Sequence, residues 1–291
     1  MRAIDMHVHP PRRSELPESA IEESLRRYFK VPEPLEDVAA MAARYEALDT
    51  IGVLLTVDSE TTTGDKPDGN DYTSGIVAAH PGRFVGLASV DPHKGDAAVT
   101  ELERALGELK LSGLKLHPVQ QNFFPNERRF FPLYETCVAH GVPVIFHSGF
   151  AASGAGMPGG AGLTLEQACP IPWADEVAAN FPGLTIVLAH PSWPWVEHQI
   201  AVALHKPNVY LDLSGWLPRY IPEALMREVN TRLREKAMFG SDYPYITPER
   251  WLADFDSIPM RPEVLPLLFK ENAMRVMGLT AEGGIGSGVG N

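Results

Sequence analysis

Two histidines near the start of the chain are spaced as a pair of metal ligands. His7 and His9 lie in the run DMHVHP, with one apolar residue between them. In a β-strand the side chains of residues i and i+2 point to the same side, so the two imidazoles can meet at one point. Imidazole is a common ligand of divalent transition metals. The pair therefore predicts a metal site at the end of the first strand.

Other reactive side chains lie far away in the sequence, each at the end of a short apolar run. His117, His147, His190 and Asp242 all hold such positions. If the runs are parallel strands of one closed sheet, their carboxyl ends meet on one face. His147 and Asp242 then complete a set of three histidines and one aspartate with the first pair. This set predicts one bound Zn²⁺, with Mn²⁺, Fe²⁺ and Co²⁺ as alternatives.

Three further polar residues on these runs have two interpretations each. Asp5, two residues before the first histidine, either orients a metal-binding histidine or is a buried carboxylate bonded to the backbone. Lys115 either forms an ion pair inside the sheet or contacts the metal site, and we favour the ion pair. His117 is either a structural histidine or part of the site. The sequence leaves the choice open for each of the three.

Eight apolar runs alternate with helical segments along the chain. The runs are AIDMHVH (3–9), IGVLLTVD (51–58), FVGLASV (84–90), GLKLHP (113–118), PVIFHSG (143–149), LTIVLAH (184–190), NVYLDLSG (208–215) and MFGSDYP (238–244). Most are rich in Val, Ile and Leu, which is typical of parallel strands covered on both faces. Eight such units predict an α/β protein with a (β/α)8 barrel in one domain, residues 1–280. The alternative, an open doubly wound sheet, needs a glycine turn after the first strand, and none is present.

The connections between the runs differ in length and composition. Segment 12–48 predicts two helices, so the first connection of the barrel is enlarged. Segment 149–172 is rich in Gly, Ala and Pro and directly follows a strand, which makes it a candidate active-site loop. Residues 281–291 form a glycine-rich segment that we expect to be a flexible tail.

These motifs resemble those of the amidohydrolase superfamily. DMHVHP, FHSG, LAHPSW and FGSDYP match its amidohydrolase-related branch, which contains aminocarboxymuconate-semialdehyde decarboxylase together with other decarboxylases, hydratases and lactonases. The resemblance extends over residues 4–279. It is specific for the superfamily and does not identify a substrate.

The resemblance also implies roles for individual residues. It places His7, His9, His147 and Asp242 around one divalent metal and makes His190 the catalytic acid or base. Members of this branch often form dimers, so the resemblance leads us to expect a homodimer as well.

Two reactions are compatible with such a site. Our main prediction is a hydrolase that opens a lactone, ester or amide of a small organic acid with a metal-activated water. In it, Asp242 accepts a proton from the water and His190 assists the carbonyl or the leaving group. The alternative is a non-oxidative decarboxylase of an aromatic or muconate-like acid, in which one of these two residues protonates the carbon. A barrel that only binds a ligand is disfavoured, because binding alone does not require His190.

The substrate has to be recognised by residues that follow the strands. We predict that a small carboxylate contacts Arg12, Phe150, Trp193, Trp216 and Arg219, which all lie in such segments. Aromatic rings would stack on a planar acid, and an arginine would bind its carboxylate with two hydrogen bonds.

Composition excludes several other classes of protein. The formal net charge of −12 over 291 residues argues against a nucleic-acid-binding surface. We find no leader sequence and no apolar window long enough for a membrane span, and therefore expect no membrane association and a cytoplasmic location. Cys137 and Cys169 show no metal-ligand or redox spacing, so no disulfide is expected.

Overall fold

The strands of the protein pair in chain order and in parallel. The computed structural model describes residues 2–31 and 36–280. Within these residues the strand segments are β1 (Ala3–Val8), β2 (Thr50–Leu54), β3 (Phe84–Gly86), β4 (Ala88–Ser89), β5 (Leu114–Leu116), β6 (Val144–His147), β7 (Ile186–Ala189), β8 (Val209–Asp212) and β9 (Ala237–Met238). β1 to β3 form one parallel sheet and β4 to β9 another.

Backbone hydrogen bonds join these two sheets into a closed barrel. Between β3 and β4, the amide of Leu87 donates to Leu54 (2.9 Å) and the amide of Ala88 donates to Gly113 (2.8 Å). β3 and β4 are therefore two halves of the third barrel strand. At the other junction, the amide of Met6 donates to Phe239 (3.0 Å) and the amide of Asp242 donates to His7 (3.0 Å). The predicted (β/α)8 fold is confirmed.

Helices follow the strands along the chain. They are α1 (Ala20–Phe29), α2 (Val38–Ala47), α3 (Glu60–Thr63), α4 (Asn70–Ala79), α5 (Asp96–Gly107), α6 (Phe131–His140), α7 (Trp173–Asn180), α8 (Val196–His205), α9 (Glu223–Val229), α10 (Pro248–Phe255) and α11 (Asn272–Met277), the last preceded by a π-helical turn (Leu267–Glu271). The enlarged first connection contains the two predicted helices, α1 and α2. The predicted tail, 281–291, lies outside the described residues.

Alternation along the strands divides the core into an inner and an outer layer. On β6, Phe146 packs against Trp173 of α7, with ring centroids 5.2 Å apart. Ile145 belongs to a separate apolar cluster with Ile51 and Val187 from other strands. His147 shares the inner face with Ile145, because their positions differ by two. The barrel interior is thus apolar along the strands and polar at their carboxyl ends.

The last barrel strand is shorter than its sequence run. The run 238–244 predicted a full strand, but β9 ends at Met238. Asp242 has a φ of 73°, a left-handed conformation that a strand does not contain. The segment after β9 therefore leaves the strand conformation where it carries a reactive side chain.

Candidate active site

Side chains from four strands meet at the carboxyl end of the barrel. Ligand atoms of His7, His190 and Asp242 all lie within 4.8 Å of one another. Nε2 of His9 is 3.3 Å from Oδ1 of Asp242. The ring of His147 lies 4.8 Å from the ring of His190. The structure thus brings together the four predicted ligands and the predicted acid or base, and we refer to these five residues as the histidine cluster.

Two members of the histidine cluster have unusual backbone conformations. His190 has a φ of 69° and Asp242 a φ of 73°. Residues other than glycine rarely adopt positive φ, and such strain concentrates at functional sites. The amide of Asp242 donates to the carbonyl of His7, which fixes the end of the last barrel strand against β1.

Sequence reasoning missed Asp212 and Ser214, which orient two of the histidines. Oδ2 of Asp212 lies 2.7 Å from Nδ1 of His7. Ser214 Oγ donates to the same carboxylate oxygen (2.9 Å) and lies 2.9 Å from Nδ1 of His190. Because the serine hydroxyl already donates its hydrogen to Asp212, Nδ1 of His190 donates to the serine oxygen. Both rings thus carry their proton on Nδ1 and present Nε2 to the cluster.

The signal for these two residues was present in the sequence. Asp212 is the fifth residue of the seventh apolar run, NVYLDLSG, the same position that His147 holds in its own run, PVIFHSG. The rule that selects reactive side chains at strand ends applies to this aspartate equally.

Asp5 does not orient a histidine side chain, so that interpretation is wrong. Its carboxylate accepts hydrogen bonds from Tyr45 Oη (2.8 Å), from Ser241 Oγ (2.5 Å), and from the amides of Ser241 (2.7 Å) and His7 (3.2 Å). The pairing of β1 with β2 shifts register between Asp5 and Val8. The simple alternation that placed Asp5 beneath His7 does not hold across such an irregularity.

Burial keeps three imidazoles of the histidine cluster neutral. It lowers the pKa of His7 and His147 well below the ordinary value, assisted by the neighbouring cationic groups, and it lowers the pKa of His190 to about 4. For Asp242, burial alone would raise the pKa, but the hydrogen bond with His9 and the nearby cationic groups bring it below its ordinary value. Neutral imidazoles and an ionised carboxylate are the forms that bind a metal.

The residues of the histidine cluster fit a divalent metal. Nε2 of His147 is buried and has no hydrogen-bond partner among the described residues. A buried polar atom without a partner costs free energy, which a bound cation would recover. Three imidazoles and one carboxylate are ligands that first-row divalent metals share.

Lys115 is a buried lysine beside this cluster. Its Nζ has no hydrogen-bond partner among the described residues. Burial lowers the pKa of Lys115 to about 8, while the carboxylates of Asp212 and Asp242 act in the opposite direction. The predicted ion pair is therefore absent at contact distance, and only long-range attraction remains.

A cavity of about 800 Å³ opens above the histidine cluster. Arg12, Phe150 and Trp216 are among its lining residues, as are Tyr245 and His117, which our substrate prediction did not include. Arg12 donates from Nη1 to Glu22 of α1 and from Nη2 to the carbonyl of Lys66, both at 2.8 Å. The volume is suited to a small organic acid.

Two predicted substrate residues are not part of the cavity wall. The side chain of Arg219 is paired with the carboxylate of Asp254. Trp193 is 48% exposed and lies on the rim, 6.1 Å from the ring of Phe150 and 6.3 Å from that of Trp216. The loop after β7 points this tryptophan outward, which strand-end reasoning alone does not reveal.

Comparison with known proteins identifies the family. The chain matches the amidohydrolase family model over residues 4–279 and belongs to this family. It is 26% identical to the 2-amino-3-carboxymuconate-6-semialdehyde decarboxylase of Dictyostelium discoideum over 200 residues, 60% of this chain and 55% of the relative. The match thus spans about half the length of that curated relative.

Solved structures share the fold over nearly the whole chain. An uncharacterized TIM-barrel protein from Bordetella bronchiseptica has a TM-score of 0.81 at 22% identity, covering 97% of this chain and 99% of that one. A dihydroxybenzoic acid decarboxylase from a Polaromonas species, solved with bound manganese and the inhibitor 2-nitroresorcinol, has a TM-score of 0.65 at 20% identity, covering 97% and 98%.

The comparisons correct our main prediction of function. We expected a hydrolase, with decarboxylation as the alternative. The curated relative is a decarboxylase, and so is the Polaromonas protein with the same fold. The hydrolase prediction is therefore wrong, and the alternative is the better interpretation. The reason is that the same ligands and the same histidine serve both reactions, so the site residues alone could not separate them.

No helix in the described parts of the chain has the length and apolar character needed to cross a membrane. This agrees with the absence of a long apolar window in the sequence.

Proposed function

We propose that the protein is a metal-dependent decarboxylase that releases carbon dioxide from a small aromatic or muconate-like acid. The observation that carries the proposal is the position of His190. Its Nδ1 is bound to Ser214 at 2.9 Å, and it lies within one ligand cluster with Asp242. An imidazole held in this way can transfer a proton at Nε2 and nowhere else. The family's curated decarboxylase relative supports the same reaction.

In this proposal the metal is held by His7, His9, His147 and Asp242, with zinc as the first choice and manganese, iron or cobalt as alternatives. When bound, the ion supplies a Lewis acid that polarises oxygen atoms of the substrate. Asp212 holds His7 in the tautomer with Nε2 free for the metal. His190 is not a ligand in this assignment, although it lies within reach.

The reaction needs one proton for each carbon dioxide released. The bond between the carboxylate carbon and its neighbour breaks, and the electron pair stays on the neighbouring carbon. Nε2 of His190, which carries no proton in the resting site, first takes up a proton from water and then gives it to that carbon, so that one proton is consumed for each carbon dioxide released. Arg12, Phe150 and Trp216 are proposed to bind the acid, because they line the cavity above the cluster.

A panel of aromatic and muconate-like acids, incubated with metal-loaded protein, tests the reaction. We expect carbon dioxide from at least one acid, and a loss of about 10²- to 10⁴-fold in kcat for His190→Asn. Turnover of lactones or esters without carbon dioxide would refute the proposal. Unchanged turnover by His190→Asn would refute the role of this residue.

Elemental analysis of the purified protein tests the metal site. We expect about one equivalent of a divalent metal, and a strong reduction when both His7 and His9 are replaced by alanine. A full equivalent in that double variant would show that the metal binds elsewhere. The homodimer and the cytoplasmic location stay predictions; light scattering of the purified protein would decide the first.

A further inference from the structure

His117 lies in the cavity wall outside the set of residues that the proposed reaction uses. It follows β5 and is 7% exposed. Its ring stacks on that of His147, with centroids 3.9 Å apart and an interplanar angle of 6°. The ring is therefore held flat against a proposed metal ligand, with one edge toward the cavity.

A backbone hydrogen bond determines which nitrogen of His117 carries the proton. The amide of Gln120 donates to Nδ1 of His117 at 3.1 Å. A nitrogen that accepts a hydrogen bond carries no proton, so the neutral ring has its proton on Nε2. No described residue accepts a hydrogen bond from this Nε2. His117 thus presents an unused N–H donor.

The turn that carries His117 is held in place by Gln121. The side-chain Oε1 of Gln121 accepts from the backbone amide of His117 (2.8 Å). The backbone amide of Gln121 donates to the backbone carbonyl of His117 (2.8 Å). The side-chain Nε2 of Gln121 donates to the carbonyls of Asp58 (2.7 Å) and Val90 (2.9 Å). These bonds fix the turn to two neighbouring strand ends, so the donor is positioned before any ligand arrives.

We propose that His117 is a further catalytic residue, which donates a hydrogen bond from Nε2 to an anionic oxygen of the bound acid. The inference rests on the proposed function, because it assigns this residue to the same cavity and the same ligand. A fixed neutral donor in a site that excludes water stabilises negative charge on oxygen without having to reorient during the reaction. The ligand class is a carboxylate or a phenolate.

Two substitutions separate the two nitrogens of His117. In His117→Asn the amide oxygen replaces Nδ1 and still accepts from Gln120, whereas the donor at Nε2 is lost. In His117→Gln the longer side chain places an amide N–H close to the position of Nε2. His140→Asn is the matched control, because this exposed histidine ends α6 and pairs with Glu103.

The kinetic test uses an acid that releases carbon dioxide in the panel. We expect His117→Asn to reduce kcat by about 10²- to 10³-fold, the size typical of one lost donor in such a site, with substantial recovery in His117→Gln. His140→Asn should match the unchanged protein. Equal activity of His117→Asn and the unchanged protein would overturn the inference, as would a His117→Gln variant that is folded and no more active than His117→Asn.

A second measurement decides the inference without turnover. In protein labelled with ¹⁵N-histidine, long-range ¹H–¹⁵N spectra show the tautomer of each ring, and His117→Asn identifies the His117 signals. We expect the Nε2–H tautomer, and a shift of the Nε2 signal when benzoate is added as a probe. A Nδ1–H tautomer, or a Nε2 signal that benzoate does not move, would overturn the inference. Failure of every acid in the panel would instead refute the proposed reaction.

Discussion

At the scale of single residues, the site depends on side chains that hold other side chains. His7 is held by Asp212, and His190 by Ser214, which is itself bonded to Asp212. A buried carboxylate therefore sets the orientation of two imidazoles from different strands. Such partners affect metal affinity although they do not touch the metal.

Replacing Asp212 with asparagine tests this arrangement. We expect metal affinity to fall by about 10- to 100-fold, because the neutral amide stabilises His7 less well as a ligand. Titration of metal-free protein with Zn²⁺ gives the affinity. The control is Asp254→Asn, which removes a buried carboxylate that bonds Arg219 instead of a histidine. Equal zinc affinity in both variants would show that Asp212 does not support the metal.

Gly215 leaves space that His190 needs. It has a φ of 77°, and a Cβ built there would lie 2.6 Å from Nδ1 of His190. We expect Gly215→Ala to displace the His190 ring and to lower kcat at least tenfold, since small misplacements at the reacting groups are costly.

Gly141→Ala is the matched control for backbone strain, because Gly141 has a φ of 66° and a Cβ built there has nothing within 4 Å. It should lose about 1 kcal/mol of stability and keep its activity per folded molecule. Equal activity losses in the two variants would mean that strain, and not contact with His190, explains the effect.

We expect the buried charge of Lys115 to lower the free energy of unfolding of the metal-free protein. Burial lowers its folded-state pKa from 10.5 to about 8, so burial outweighs the attraction by nearby carboxylates. A lysine with a lowered folded-state pKa destabilises the fold below that pKa, and the cost disappears as the pH rises to the unfolded value. We expect Lys115→Met to raise the free energy of unfolding by about 1–3 kcal/mol at pH 7.

The pH dependence provides the check on this explanation. The advantage of Lys115→Met should shrink between pH 8 and pH 10.5, as measured by denaturant unfolding of both proteins without metal. An advantage that stays constant over this range would show that packing, and not the buried charge, is responsible.

At the scale of elements, helix α1 forms part of the cavity wall above the barrel. Tyr28 and Phe29 at its end line the cavity, and Phe29 packs against Tyr245 with ring centroids 5.1 Å apart and an interplanar angle of 30°. The helix begins with a capping box, in which Ser19 Oγ accepts from the amide of Glu22 (3.1 Å) and the Glu22 carboxylate accepts from the amide of Ser19 (2.9 Å). Glu22 also binds Arg12, so the start of the helix and the cavity wall are coupled.

Ser19→Ala should loosen α1 without unfolding the barrel. Loss of a helix N-cap costs about 1 kcal/mol, and we expect faster hydrogen exchange in α1 together with a higher KM. The control is Asp37→Ala, which removes the side chain that caps α2, a helix with no residue in the cavity wall. A rise in KM in both variants, or in neither, would contradict a specific role of α1 in binding.

At the scale of the whole molecule, the proposed ligands come from both ends of the chain. His7 and His9 belong to the first strand, and Asp242 follows the last, with the amide of Asp242 donating to His7 across the closure of the barrel. A metal held by these residues would bind the folded barrel and not the unfolded chain. Mass action then makes the ion a stabiliser of the entire fold.

Removal of the metal should therefore lower the melting temperature. For an ion present at 100 times its dissociation constant the loss is about 2.7 kcal/mol, or roughly 4–5 °C for a domain of this size. Calorimetry before and after treatment with a chelator, and again after Zn²⁺ is restored, measures it. Asp242→Asn should show a much smaller change; an equal change in that variant would argue against Asp242 as a ligand.

Much of the fold and part of the site could be predicted from the sequence. The eight apolar runs predicted the barrel, because parallel strands covered on both faces need apolar side chains in almost every position. Strand-end positions then selected His7, His9, His147, His190 and Asp242, since the carboxyl ends of barrel strands converge. These inferences needed only local pattern and one general property of the fold.

Other features depended on three-dimensional contacts that no local pattern encodes. Because β1 shifts register after Asp5, the Asp5 carboxylate bonds to Tyr45, and Asp212 is the partner of His7. Loop geometry placed Trp193 on the rim of the cavity and paired Arg219 with Asp254. The proposal of a decarboxylase came from comparison with relatives, because one set of ligands serves two chemistries. The sequence alone thus determined which strands carry the chemistry, whereas tertiary contacts decided which partner orients each side chain, since those partners lie up to 236 residues apart.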